Sequence, residues 1–163
     1  MNVTSNTFTD GGTIPETMVY NGFGLQGGNR SPQLSFEGVP DGTKSFAIVC
    51  HDPDAPTSGG FYHWAMFNIP GSARSLDENA GAKEPAAALG ATVGHTDYGE
   101  TQYGGPCPPP GPAHHYNFTV YALGAESLPL GSTTTGALLE FFVGQHTLAK
   151  AKITGLYTRP AGS

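Results

Sequence analysis

Between Phe46 and Pro70 two apolar runs flank one polar, proline-rich interruption. Phe46-Ala47-Ile48-Val49-Cys50 contains no polar position, which predicts a strand covered on both faces. Asp52-Pro53-Asp54-Ala55-Pro56 stops it, because proline donates no ladder hydrogen bond and Asp favours turns. Ser58-Gly59-Gly60 returns the chain, and Phe61 to Ile69 makes the next strand. A period of two places Phe46, Ile48, Cys50 and Asp52 on one face of the first strand. The same period aligns His63 with Ala65, Phe67 and Ile69 on the second. If those faces point inward, an acid and an imidazole stand at the end of a buried surface, where a pocket can form.

The rest of the chain reads as further short strands with little helix. Gln33 to Glu37 is a strand with Leu34 and Phe36 on one face, and Met18 to Gln26 a weaker one interrupted by Gly22 and Gly24. Gly27 to Pro32 and Val39 to Thr43 are turns by composition. His114 to Leu123 is a clear strand. Its even positions His114, Tyr116, Phe118, Val120 and Ala122 form an apolar face, and its odd positions His115, Asn117, Thr119 and Tyr121 a more polar one. Thr133 to Gly144 has a helical stripe of Leu138, Leu139, Phe141 and Phe142, with Thr133, Thr134 or Thr135 as N-cap. Gln145 to Lys152 predicts a second short helix, with Lys150 and Lys152 suited to its C-terminus, and Ile153 to Tyr157 a closing strand. Glu84 to Leu89 makes one helical turn or a loop, and residues 1–12 are expected to be loosely ordered. Together these elements predict a mainly β fold, an antiparallel β-sandwich with short peripheral helices near the C-terminus.

Composition narrows the functional classes. One domain spanning 1–163 is the natural count for this length. Gly 24 and Pro 14 against 12% charged residues indicate ordered loops between strands. The Tyr98 to Pro112 stretch is the longest of these, and its prolines favour an ordered binding loop. A net charge of -6 argues against nucleic-acid binding and, with no Lys/Arg cluster, against electrostatic docking on anionic lipid, both of which need a basic face. Neither a signal-peptide pattern nor an apolar run of membrane-spanning length is present, so a cytoplasmic location is expected. Cys50 reads as a small core hydrophobe. Cys107, between prolines in the long loop, is the more reactive candidate, although packing is the plainer role for it.

DPDAP followed by a His-Trp strand resembles the phosphatidylethanolamine-binding protein family, which includes the Raf kinase inhibitor protein. SPQLSF at Ser31 to Phe36 is similar to the family's early strand. YGGPCPPPGPAHHY at Tyr103 to Tyr116 is similar to its second signature, and Gly144 to Arg159 to its closing helix and strand. The resemblance implies the β-sandwich fold reached above. By motif position it also implies an anion pocket of Asp52, His63, His114 and Tyr116, with Gly105 and Pro106 on the rim. His115 stands where relatives carry a basic residue, Phe36 where they carry Trp, and Tyr62-His63-Trp64 where they often carry Trp-His-His. With a short stretch after Arg159, this looks like the bacterial and archaeal branch.

The residue chemistry agrees with an anion site. Imidazoles donate to phosphate oxygens, Tyr116 offers a phenolic donor, and Asp52 fixes an imidazole tautomer or accepts from an amine. Asp54 is expected to bond backbone amides and shape its turn. A cis bond at Ala55-Pro56 would mark a tight turn, with trans the default. Five of the six histidines fall between residues 51 and 115. However, His114 and His115 point to opposite faces, and no metal-binding spacing occurs, so no metal or other cofactor is expected. Asp52, His63 and Tyr116 also suit acid–base catalysis, but no activated nucleophile motif accompanies them.

The expected function is therefore a non-enzymatic binding protein for a small anionic ligand, a phosphate, phosphomonoester or headgroup. The resemblance adds modulation of a protein kinase or protease. An acid–base enzyme using the same pocket is the alternative. A homodimer is also expected, from the bacterial relatives and from sheet edges that need cover.

Overall fold

Eight strands, two short helices and one 3-10 turn organise the chain in the computed structural model, which describes residues 1–163. In order they are β1 (Asn2–Thr4), the 3-10 turn (Glu16–Met18), β2 (Leu34–Glu37), β3 (Ser45–Asp52), β4 (Phe61–Pro70) and β5 (Ser75–Leu76). There follow α1 (Lys83–Ala88), β6 (Thr92–Val93), β7 (His114–Leu123), α2 (Gly136–Val143) and β8 (Thr147–Tyr157). β1-β2-β5 form a three-stranded antiparallel sheet and β6-β4-β3-β7-β8 a five-stranded one. This is the β-sandwich with few short helices that the pattern predicts. No helix is long and apolar enough to cross a membrane.

β3 runs through the middle of the larger sheet, which explains its unbroken apolar run. Phe46, Ile48 and Cys50 enter the main core, with Leu34 and Phe36 of β2, Leu76 of β5 and Phe118 and Val120 of β7. Ala47 and Val49 enter a second core on the opposite face, under Leu139 and Val143 of α2. Each large side chain so buried contributes about 1.5–3 kcal/mol. Along β7, Tyr116, Phe118, Val120 and Ala122 are buried as the period of two requires. Of the three threonines before α2, Thr135 is the cap: its side chain accepts from Leu138 N at 3.2 Å. A cap of this kind contributes about 1 kcal/mol.

Along β4 the period of two does not hold. Two register shifts against β3 each insert one extra residue. The first falls between Tyr62, opposite His51, and Trp64, opposite Cys50. A bulge there turns His63 and Trp64 toward the same side. Trp64 and Met66 therefore join the main core, while Ala65 and Phe67 go to the α2 face, away from His63. The second shift lies near Asn68, whose φ of 57° is left-handed, and it returns Ile69 to the main core.

Three further expectations are corrected. Residues 1–12 are not loose: β1 pairs with β2, Phe8 packs at a tilt against Phe118 with ring centroids 5.5 Å apart, and Asp10 accepts from Thr154 N at 2.9 Å. Met18 to Gln26 forms no strand. Phe23 and Gly24 take positive φ (51° and 88°), and the segment folds back so that Gly27 N donates to Tyr20 O at 2.9 Å. Gln145 to Lys152 forms no helix, because β8 begins at Thr147 and pairs with β7 from Leu123 onward. Its Ala and Lys favour helix locally, but the open edge of β7 offers a full ladder of hydrogen bonds, and tertiary pairing overrides the propensity. Glu84 to Leu89, read as a helical turn or a loop, is helical: α1 runs from Lys83 to Ala88 with Leu89 as its C-cap. No peptide bond is cis, so Ala55-Pro56 is trans.

Candidate functional site

Antiparallel pairing brings the end of β3 and the starts of β4 and β7 to one edge of the larger sheet. Asp52 closes β3, His63 is the third residue of β4, and His114 and Tyr116 are the first and third of β7. The bulge aims His63 at this edge instead of at the α2 face. All four side chains line one cavity of about 110 Å³, together with Ala55, Pro56, Thr57, Phe61, Tyr98, Cys107, Pro108 and Pro109.

Within it Asp52 is a positioning group. Its Oδ2 accepts from His114 Nδ1 at 2.7 Å and its Oδ1 from Asp54 N at 2.8 Å. His114 therefore presents Nε2 to a ligand. Asp54 accepts a backbone amide as expected, but that of His115 on β7 and not one of its own turn, which Asp52 shapes through the Asp54 N bond. Asp54 Oδ2 accepts from both the backbone N and Nδ1 of His115, each at 2.7 Å. These bonds hold the Asp54 carboxyl below the usual carboxylate range. The two acids of the DPD turn thus clasp two adjacent histidines that point to opposite faces; the Asp52 pairing with an imidazole was expected, and the Asp54–His115 one was missed. No three His, Cys, Asp or Glu side chains converge as a metal-binding group.

His63 differs from the phosphate donor that its residue type suggests. Its Nδ1–H donates to Gly104 O at 2.8 Å. Burial drives its pKa from 6.5 to about 4, against the opposing pull of the Gly104 carbonyl and the Asp52 charge. At neutral pH His63 is therefore uncharged, and its Nε2 carries a lone pair. Tyr116 packs edge-on to His63, with centroids 5.1 Å apart, and its hydroxyl is buried with no hydrogen-bond partner. Burial raises the Tyr116 pKa, so the hydroxyl keeps its proton and acts as a donor. The cavity thus offers one donor, one acceptor and the Nε2 of a carboxylate-paired imidazole.

Gly105 and Pro106 do not line the cavity and instead stand behind it. Gly105 N donates to Asn29 Oδ1 at 2.7 Å, Tyr98 OH donates to Gly105 O at 2.6 Å, and Pro106 O accepts from Tyr20 N at 3.0 Å. Gly104 N also donates to His63 O at 2.9 Å, so the 98–112 loop is ordered and tied to β4. Tyr98 is a cavity residue that the sequence reading missed. Its ring stacks on Tyr20 at 3.9 Å and meets Phe61 edge-on at 4.8 Å. No local signal marks it, because its contacts come from segments distant in sequence.

The family model for phosphatidylethanolamine-binding protein matches residues 4–158. The chain belongs to the phosphatidylethanolamine-binding protein family. It is 43% identical to YbcL of Escherichia coli over 95% of this chain and 86% of that protein. It is 42% identical to YbhB of the same organism over 97% and 100%. The crystal structure of YbcL, described as a member of the mammalian family, superposes with a TM-score of 0.93 over 98% of both chains at 42% identity. A putative family homologue from Chlamydia trachomatis gives 0.82 at 32% identity, over 98% of this chain and 97% of that one. The resemblance to this family in the DPDAP and GPCPP motifs thus extends across the fold, and those motifs build the cavity of this phosphatidylethanolamine-binding protein family member.

Proposed function

We propose that this chain is a non-catalytic binding protein for a small phosphate-type anion, taken up as the monoanion. The observation that carries this is the buried Tyr116 hydroxyl, which has no partner and stands in the cavity beside a neutral His63. An unmade buried hydrogen bond costs about 1–3 kcal/mol, which a ligand oxygen would recover. A phosphate or phosphomonoester monoanion suits the set: its P–O⁻ accepts from Tyr116 and its P–OH donates to His63 Nε2.

The test is a phosphate titration followed through the carbon-bound imidazole protons at several pH values. His63 and His114 are expected to shift. Affinity for a phosphomonoester should fall about tenfold per pH unit above its second ionisation, near ~6, because the monoanion disappears there. Replacing Tyr116 with Phe should weaken binding about tenfold. Shifts confined to His51, His95 or His146 would place the anion elsewhere, and affinity that climbed to pH 8 would sink the monoanionic ligand.

The Asp52–His114 pair at 2.7 Å favours a second reading, acid–base catalysis on a small molecule. Turnover of small phosphoesters that His63→Ala abolishes would select it. The binding reading is preferred because no activated nucleophile motif accompanies these residues. A kinase or protease partner is part of the proposal through the family resemblance, and a cytoplasmic setting is proposed with it. We also propose a homodimer, since β8 leaves one edge of the larger sheet unpaired. Light scattering should give twice the chain mass, and a monomer mass across a wide concentration range excludes it.

A further inference from the structure

Cys50 and Cys107 are the two thiols of the chain, and the fold treats them differently. Cys50 is sealed in the main core at 1% exposure. Cys107 is half-buried and borders two cavities at once: the inner one that holds Tyr116, and an outer one of about 440 Å³. The two share Pro56, Phe61, Tyr98, Pro108 and Pro109, so they adjoin, and Cys107 borders both. Prolines on both sides hold its backbone.

Its sulfur also has a cation beside it. Arg159 Nη1 donates to Cys107 Sγ at 3.6 Å, and the same guanidinium is anchored on the carbonyls of Pro108 and Phe23. Negative charge on that sulfur therefore meets a fixed positive group. Deeper in the inner cavity, the Tyr116 hydroxyl is an independent sign of an absent acceptor, being buried and unpartnered in a residue only 1% exposed.

We propose that Cys107 is a thiolation site that selects small organic disulfides carrying a carboxylate, whose anionic end occupies the Tyr116 hydroxyl. This rests on the reading of the inner cavity as an anion site. The step is thiol–disulfide exchange. Cys107 loses its proton to solvent, its sulfur attacks the near sulfur of R–S–S–R, and the S–S bond breaks. A Cys107–S–S–R mixed disulfide forms as R–S⁻ leaves, so Cys107 is oxidised and one half of the reagent is reduced. The added group stands between the two cavities and excludes phosphate until a thiol removes it.

The charge of the protein makes the selectivity diagnostic. A net charge of -6 attracts cationic reagents at long range and repels anionic ones. The experiment compares 3,3′-dithiodipropionate, cystamine and 2-hydroxyethyl disulfide, each rate divided by that with free N-acetylcysteine. The anionic reagent is expected to be about tenfold favoured over the neutral one, the worth of one hydrogen bond to a charged group. That preference should vanish in Tyr116→Phe and under saturating phosphate. The mass adduct should vanish in Cys107→Ser, and the wild-type adduct should lose phosphate-induced shifts at His63. Fastest reaction with cystamine, or an adduct that persists in Cys107→Ser, overturns the proposal. If phosphate shifts neither histidine but the carboxylate preference persists, the phosphate reading falls and the thiolation site stands. If phosphate binds and Cys107 shows no anionic preference, the reverse holds.

Discussion

Gly105→Ala is expected to destabilise the protein by about 3 kcal/mol or more and to abolish phosphate binding. A Cβ added at Gly105 would lie 1.9 Å from the Met18 carbonyl oxygen and 2.7 Å from Tyr20 N. Both are backbone atoms, so no side-chain rotation relieves the clash, and the loop or the Met18 to Tyr20 segment must move. Overpacking alone costs about 1–3 kcal/mol. Movement here also strains the bonds from Gly105 N to Asn29 and from Tyr98 to Gly105 O. The adjacent Gly104 carbonyl then no longer holds His63 Nδ1, and the cavity loses its tautomer. Urea unfolding gives the stability change and the imidazole titration gives the binding change. Gly131→Ala, whose new methyl group would meet nothing within 4 Å, is the control and should stay within about 0.5 kcal/mol. An equally mild effect at Gly105 would show that the loop packs less tightly than described.

Acid should destabilise the protein through His63, by about 3 kcal/mol between pH 6.5 and pH 4. In the unfolded chain His63 takes up a proton near 6.5, but burial in the folded state delays this to about 4. Above 6.5 both states carry it neutral, and its burial has no acid penalty. As pH falls below 6.5 only the unfolded state gains the proton, so stability declines until about 4, where the folded state gains it too. At about 1.4 kcal/mol per unit, the depression amounts to about 3 kcal/mol. Chemical denaturation across this range should show the slope, and His63→Gln should remove most of it. An unchanged slope in the variant would mean that His63 is charged in the folded protein. The same burial makes a dianionic ligand costly and favours one that brings its own proton, which links this test to the phosphate titration.

Much of the fold could be read directly from residue order. The unbroken Phe46 to Cys50 run predicts a central strand, and β3 is buried on both faces. Alternation from His114 to Ala122 predicts which side of β7 faces the core, because a regular strand carries that period without help. Two long motifs likewise point to Asp52, His63, His114 and Tyr116, which line one cavity. Local pattern fails where distant segments decide. The β4 bulge depends on its register with β3, and it separates His63 from Ala65 and Phe67, which a strict period of two keeps together. β8 replaces a helix at Thr147 to Lys152 because the β7 edge was open to it. Met18 to Gln26 is irregular because it packs on the Gly105-Pro106 turn. The neutrality of His63 was also beyond the sequence. Residue type makes histidine a cation or a donor equally well, and only enclosure by the tertiary structure, with Gly104 O taking its Nδ1 proton, makes Nε2 an acceptor. Residue order thus determined which chemical groups reach this edge of the sheet, whereas burial, which exists only once the chain is folded, decided the protonation of His63 and Tyr116 and what the cavity can bind.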